Sequence, residues 1–464
     1  MVSWKLFLVL ELFFVACTIS PATLYAIPEI RIEILKSGGF RVIMPDIPGT
    51  GLFVFHGNVN EDIPPQSQGD LNKETKSSQN GVWILEFPTT KLKAGDFISY
   101  WVFVTHNHLG FRKDRQVWTV TELLDSYPPL KTRCVTASTV VNGGTSTCVG
   151  QVIIDDAFTG AEIDQNTWVP EHFIPTYSAP NYEFNSYQNI QETLFNLNGV
   201  LHLKPLALES EDAVRGELNL RNGCTSSKPT KCFYIQGSSF LLPPVKSARI
   251  TSQSSFKYGK IEIRAKLPQG DWIFPIIQLE PKNDETENSP KVWVAYSRGN
   301  QHLRGNSGED IGATILFAGP VLTPSEPGRS KELISQRSPN PYNADFHVFS
   351  LIWAPGKMTF SIDSHEIGTV DLKKNFADPA HGIGSTWTSP ETPFDKEYVI
   401  SLGVGVGGIA DFPDGYTSGN NQKPWVNGER NQVKKFFNTR NVWGGTWNGN
   451  KAALQIDYVK VTAL

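Results

Sequence analysis

The stretch FKYGKIEIRAKLPQGDWIFPIIQLEPKNDETENSPKVWVAYSRGN, residues 256–300, decides the reading of most of the chain. From Lys257 to Lys266, apolar Ile261 and Ile263 alternate with charged Lys260, Glu262 and Arg264. That period of two predicts a strand with one buried face and places Glu262 on the outward one. Residues 292–296 form a second strand-like run. Between the two, Glu280, Asp284, Glu285 and Glu287 fall in a Pro- and Asn-bearing segment and are expected to be solvated loop charges.

Outward from this stretch, strand-like runs recur at 199–204, 247–251, 347–353, 358–363, 398–406 and 453–461, and only 428–442 looks helical. Short strands and long loops over residues 151–464 predict a two-sheet, concanavalin-like jelly roll. Upstream, residues 27–124 carry strand runs at 30–34, 40–44, 51–55, 82–87, 96–105 and 116–120. Turn residues such as Gly38-Gly39 and Ala94-Gly95-Asp96 separate them, which predicts an immunoglobulin-like β-sandwich. Residues 125–150, opening on Pro128-Pro129 and rich in Thr, Ser, Val and Gly, read as a linker. The chain is thus all-β, with two domains.

Composition narrows function. Lys plus Arg is 42 and Asp plus Glu is 46, a net charge of −4, which argues against nucleic acid as the main partner. Twelve Trp and 27 Phe suit a large β core, or surfaces that stack on sugar rings. Lys5 followed by the apolar run 6–17 and small residues to Ala26 reads as a secretory signal, residues 1–26, too short to span a bilayer. The mature protein is therefore expected to be secreted, without integral membrane contact. Beyond the signal, Cys134, Cys148, Cys224 and Cys232 predict two disulfides, the short spacings favouring Cys134–Cys148 and Cys224–Cys232. No zinc spacing is present, and no metal or other cofactor is expected. No phosphate loop or Ser-His-Asp motif stands out, and His347 between Phe346 and Val348 reads as structural.

Many pieces in order carry a resemblance: Phe256-Lys257-Tyr258-Gly259, Arg264-Ala265-Lys266-Leu267-Pro268, Gly270-Asp271-Trp272, Ser297-Arg298-Gly299-Asn300, Phe412-Pro413-Asp414, Lys423-Pro424-Trp425 and Asp457-Tyr458-Val459. The chain resembles family-16 β-glucanases, and more closely the insect β-1,3-glucan recognition proteins, also called Gram-negative-bacteria-binding proteins. Active glucanases of that resemblance carry E-I-D-I-M-E before S-R-G-N. Two carboxylates at this spacing serve a retaining glycosidase because i and i+2 share a strand face and a bulge re-aims the next residue. Here the nucleophile position is Lys291, the supporting Asp position Trp293 and the acid/base position Tyr296. Lys supplies no carboxylate, and a Tyr hydroxyl of pKa about 10 is a poor acid for a glycosidic oxygen. The resemblance therefore implies a non-catalytic domain with a vestigial cleft at Trp272, Lys291, Trp293 and Tyr296.

The first domain resembles the glucan-binding module of the same proteins through Pro45-Asp46, the run 51–61, Gly81-Val82-Trp83, Lys91-Leu92-Lys93-Ala94-Gly95-Asp96, Tyr100-Trp101 and Gly110-Phe111-Arg112. The resemblance implies binding of β-1,3-glucan by an aromatic side chain with polar neighbours, Asp46 and Trp83 leading and Arg112 and His56 supporting. Trp101, in an apolar strand, is expected in the core. Three functions stay open. One is a secreted pattern-recognition protein that binds microbial glucan, self-associates on it and, as the resemblance implies, triggers serine-protease cascades toward Toll or prophenoloxidase activation in a haemolymph-like fluid. The others are a receptor for lipopolysaccharide, lipoteichoic acid or peptidoglycan, and an active glucanase, against which Lys291 and Tyr296 argue.

Overall fold

The computed structural model describes residues 26–464 apart from 48, 65, 80, 107–108, 129–134, 177–181, 237–240, 283–288, 375, 378–386 and 388–390. The proposed signal, save Ala26, and Cys134 lie outside the described residues, as do Asp284, Glu285 and Glu287. The chain divides into two compact units between Arg133 and Cys134.

The first unit is a β-sandwich of seven strands among its described residues: β1 (Arg31–Ile34), β2 (Phe40–Pro45), β3 (Thr50–Val59), β4 (Leu71–Thr75), β5 (Val82–Phe87), β6 (Phe97–His106) and β7 (Leu109–Thr119). One sheet runs β1-β2-β5 and the other β4-β3-β6-β7, all antiparallel. Alternation fills the core between them: Phe53 and Phe55 from β3, Trp83, Leu85 and Phe87 from β5, and Tyr100, Val102 and Val104 from β6 are buried. The sequence pattern missed β4 because Asn72, Lys73 and Glu74 give it little apolar character. That polarity suits its place at the sheet edge, where charge deters pairing with other chains.

The second unit begins earlier than the pattern indicated. Within the expected linker, β8 (Thr136–Val141) and β9 (Thr145–Cys148) form a hairpin, and β8 pairs with strand Phe256–Lys257 of the large sheet. The physical signal is two β-branched runs flanking Asn142-Gly143-Gly144, all three at positive φ. Glu397 closes the turn, accepting from the Gly143 and Gly144 amides at 2.9 and 2.8 Å.

Among the described residues the second unit stacks an eight-stranded sheet and a ten-stranded sheet around one core, the two-sheet jelly roll expected. Strand Gly259–Lys266 alternates buried and partly exposed residues from end to end, and outward Glu262 pairs with Lys260. Strands Ile273–Pro281 and Tyr398–Val406 are buried almost throughout. Gly405 keeps them close: a Cβ there would lie 2.3 Å from the Phe274 ring. Helices Gln432–Asn438 and Arg440–Trp443 follow the one helical pattern closely. Cys224 and Cys232 form a disulfide, and Cys148 is also disulfide-bonded. No helix among the described residues is long and apolar enough to cross a membrane.

Candidate functional site

Two places concentrate sugar-compatible chemistry. On the first unit it is the outer face of the four-stranded sheet. His56 on β3 pairs in register with Trp101 on β6, and the rings stack with centroids 4.3 Å apart at 3°. From β7, on the other side of β6, the Arg112 guanidinium carbon lies 4.0 Å from the Trp101 ring centroid. Arg112 Nε donates to Asp114 Oδ1 at 2.6 Å. The stack is fixed at its base: Trp101 Nε1 donates to the Ser67 carbonyl at 2.8 Å, and His56 Nδ1 lies 2.7 Å from the Gln68 carbonyl oxygen. His56, Trp101 and Arg112 therefore form one cation–aromatic ladder across three strands.

This corrects two expectations. Trp83 is not an exposed platform beside a turn; it is 2% exposed within the core. Asp46 serves as its anchor: Oδ1 accepts the Trp83 indole N–H and Oδ2 the Ser78 hydroxyl, both at 2.6 Å, while the Asp46 amide donates to Gly81 O. The pair pins Ser78 and Gly81 to the end of β2. Trp101, expected in the core, is the tryptophan on the outer face. Both placements were legible in parity. In β5, Glu86 shares its face with Ile84, so Trp83 goes inward; in β6, Ser99 and Thr105 share the face of Trp101.

In the second unit, strand Lys291–Tyr296 borders a cleft of about 400 Å³ whose lining includes Glu183, Tyr187, Arg249, Lys291, Trp293 and Arg329. The register shifts between Trp293 and Tyr296 against the neighbouring strand, so the bulge implied by the spacing is present. Trp293 and Tyr296 stack at 4.0 Å and 8°, both buried, and fill the wall. The Tyr296 hydroxyl donates to Asp411 Oδ1 at 2.8 Å, and the same oxygen accepts from Arg329 at 2.5 Å. Burial raises the Tyr296 phenol well above its usual range. Trp272, expected in the cleft, instead packs edge-on in the core against Phe412 and Trp425, at 5.4 and 5.3 Å.

The charged groups of the cleft come from distant segments that no local pattern linked. Arg249 bridges Glu171, at 2.6 Å, and Glu280. Arg329 is paired with Asp411. Glu183 accepts the Tyr187 hydroxyl, and burial pushes its carboxyl up to about 7 against that hydrogen bond. Burial lowers the Lys291 ammonium below its usual value, with Glu280 opposing and Arg249 reinforcing the shift. Among the described residues, no group of three or more His, Cys, Asp or Glu is arranged to hold a metal. His347 faces Asp363 at 2.7 Å, away from the cleft lining.

A small sandwich bearing an aromatic ladder, followed in the chain by a two-sheet unit with this cleft, is an architecture suited to binding carbohydrate. A family model described as "Carbohydrate binding domain (family 32)" matches residues 26–139. The β-1,3-glucan-binding protein of Hyphantria cunea is 34% identical over 470 residues, covering 95% of this chain and 96% of that protein. Beta-1,3-glucan-binding protein 1 of Manduca sexta is 32% identical, with 94% and 96% coverage. Gram-negative bacteria-binding protein 1 of Drosophila melanogaster is 30% identical, with 95% and 96% coverage. The chain belongs to this family of β-1,3-glucan-binding and Gram-negative bacteria-binding proteins.

Proposed function

We propose that the protein is a secreted pattern-recognition receptor whose first unit binds microbial β-1,3-glucan and whose second unit does not hydrolyse it. The observation that carries the reading is the His56–Trp101–Arg112 ladder on a solvent-facing sheet. Pyranose C–H faces pack on such a surface, and sugar hydroxyls pair with the Arg112 guanidinium and the Asp114 carboxylate as charge-assisted hydrogen bonds. A sheet face spanning several strands suits a repeating polysaccharide better than a single sugar.

The second unit supports a role without turnover. A retaining mechanism needs a carboxylate nucleophile and a carboxylic acid beside the scissile bond. Lys291 offers neither, and Tyr296 commits its proton to Asp411. A cation at the nucleophile position also opposes a developing glycosyl cation. As part of the same reading, the downstream partners are extracellular serine proteases and the protein self-associates on glucan.

The test is retention of the secreted full chain on insoluble curdlan, with reducing sugar measured in the supernatant. Retention lost in Trp101→Ala, with no sugar released by the unsubstituted protein, is the expected result. Retention unchanged by Trp101→Ala overturns the ladder as the binding surface, and sugar release overturns the non-hydrolytic reading.

A further inference from the structure

Apart from the cleft, the second unit holds a polar groove of about 630 Å³, and the two share no lining residue. Four segments meet in the groove: 269–271, 299–302, 418–421 and 445–448. Asp271 ties them together. Its Oδ1 accepts from the Ser418 hydroxyl at 2.6 Å and from Asn300 Nδ2 at 3.1 Å. Its amide donates to Thr446 Oγ1 at 2.8 Å, and its carbonyl accepts the Trp447 indole N–H at 2.9 Å. The walls are thus held in place without a ligand, which lowers the ordering cost of binding one.

This hub leaves hydrogen-bonding capacity unused. Asp271 is 7% exposed, and the groups acting on its carboxyl are neutral, Ser418 and Asn300. Burial raises that carboxyl above its ordinary value against both hydrogen bonds. An ionised carboxylate offers about four acceptor positions, and two are taken. Around it, the side-chain amides of Gln269, Asn420, Asn421 and Asn448 make no hydrogen bond within the protein among the described residues. No Lys or Arg lines the groove, and its histidine, His302, faces Asp310. Two of its glycines, Gly419 and Gly445, have no atom within 4 Å of where a side chain would begin, so the space above them is open.

That lining selects for hydroxyls. An amide both donates and accepts, as a sugar hydroxyl does, and a hydroxyl donated to a carboxylate is a charge-assisted hydrogen bond. An anionic sugar would find a carboxylate and no cation. The volume falls in the range of small-ligand sites. We propose that this groove binds a neutral saccharide, with Asp271 accepting its hydroxyls and the four amides holding its rim. The site is separate from the ladder of the first unit and does not depend on it.

The experiment is titration calorimetry of the secreted full chain carrying Trp101→Ala, which silences the ladder. The probes are the β-1,3-linked glucose trimer, the N-acetylglucosamine trimer, a galacturonic acid trimer and glucosamine. At least one neutral trimer should bind saturably, and the acidic trimer at least tenfold more weakly. Gly445→Phe fills the groove from a position that meets no protein atom and should abolish that binding. Asn448→Leu, on the same wall, serves as a second blocking variant if the first lowers the melting temperature. Asp271→Asn keeps an oxygen for Ser418 but exchanges an acceptor for a donor, and should weaken binding about tenfold. Absence of binding by both neutral trimers, or binding that survives both blocking variants, overturns the proposal. Tighter binding of the acidic trimer or of glucosamine overturns the neutral assignment. Curdlan retention by the unsubstituted chain reads the ladder alone, so failure of either reading is visible without the other.

Discussion

The two units differ in how they neutralise cations set over aromatic rings. On the first, Arg112 lies over Trp101 at an open sheet face, where water solvates the charge and a stack needs only one carboxylate neighbour. In the second, Arg249, Arg329 and Lys291 are drawn into a cleft, and the two arginines are held by carboxylates from remote strands. An open face can present its charge to a ligand directly. A closed cleft must first neutralise its own, so its arginines and carboxylates hold one another.

That contrast breaks most sharply at Asp411. Asp411→Ala strands both the Arg329 guanidinium and the Tyr296 hydroxyl, and should destabilise the second unit by about 5 kcal/mol. A thermal melt that falls by less than a degree would show that the cleft does not depend on internal pairing. Next come the two tryptophans of the first unit. Trp83→Ala removes a core side chain and the Asp46 anchor, and should cost about 4 kcal/mol in urea unfolding. Trp101→Ala should cost only about 1 kcal/mol while abolishing curdlan retention. If the two substitutions exchange these effects, the assignment of core and surface is inverted.

Glu183 sharpens the contrast through pH. Its folded-state carboxyl sits at about 7, above an ordinary carboxyl near 4.5, so the folded state binds the proton more tightly. Its stabilising contribution is complete below pH about 4.5 and is lost as pH rises through about 7, on the order of 3 kcal/mol. Glu183→Gln should flatten the fall in second-unit stability between pH 5 and 8, measured against the unsubstituted protein across the same range. The smallest effect is local. The Cys224–Cys232 bridge closes a separation of only eight residues. Cys224→Ser with Cys232→Ser should therefore cost about 2.5 kcal/mol by loop entropy, without changing curdlan retention.

Much of the architecture was readable because strand alternation is local. The 257–266 run, the 428–442 helical segment and the Cys224–Cys232 pair all follow from short spacings. Lys291, Trp293 and Tyr296 were equally easy to place together, since one strand and its bulge carry all three. What escaped was non-local or two-faced. β6 is apolar on both sides, so hydrophobicity alone sent Trp101 inward, and only Ser99 and Thr105 betray its face. Glu171, Glu183, Arg249, Arg329 and Asp411 come from five separate stretches of chain, and no periodicity announces their meeting. The 136–148 hairpin was missed because its Thr, Ser and Gly content resembles a tether, although Asn142-Gly143-Gly144 between β-branched runs is a turn signal.

That hairpin also sets where the chain can be cut. Ser138 N donates to Leu464 O and Leu464 N to Thr139 Oγ1, at 2.8 and 2.9 Å, so β8 is laced to the last residue of the sequence. A fragment begun at residue 151 would strip two strands from the large sheet, release the Glu397 carboxylate from its turn and bare the Phe256–Lys257 edge. Exposed edges invite intermolecular pairing, so such a fragment would tend to precipitate. Any modular reuse of the second unit, by an engineer grafting it or by recombination shuffling it, has to carry the residues from Thr136 onward as part of the cargo.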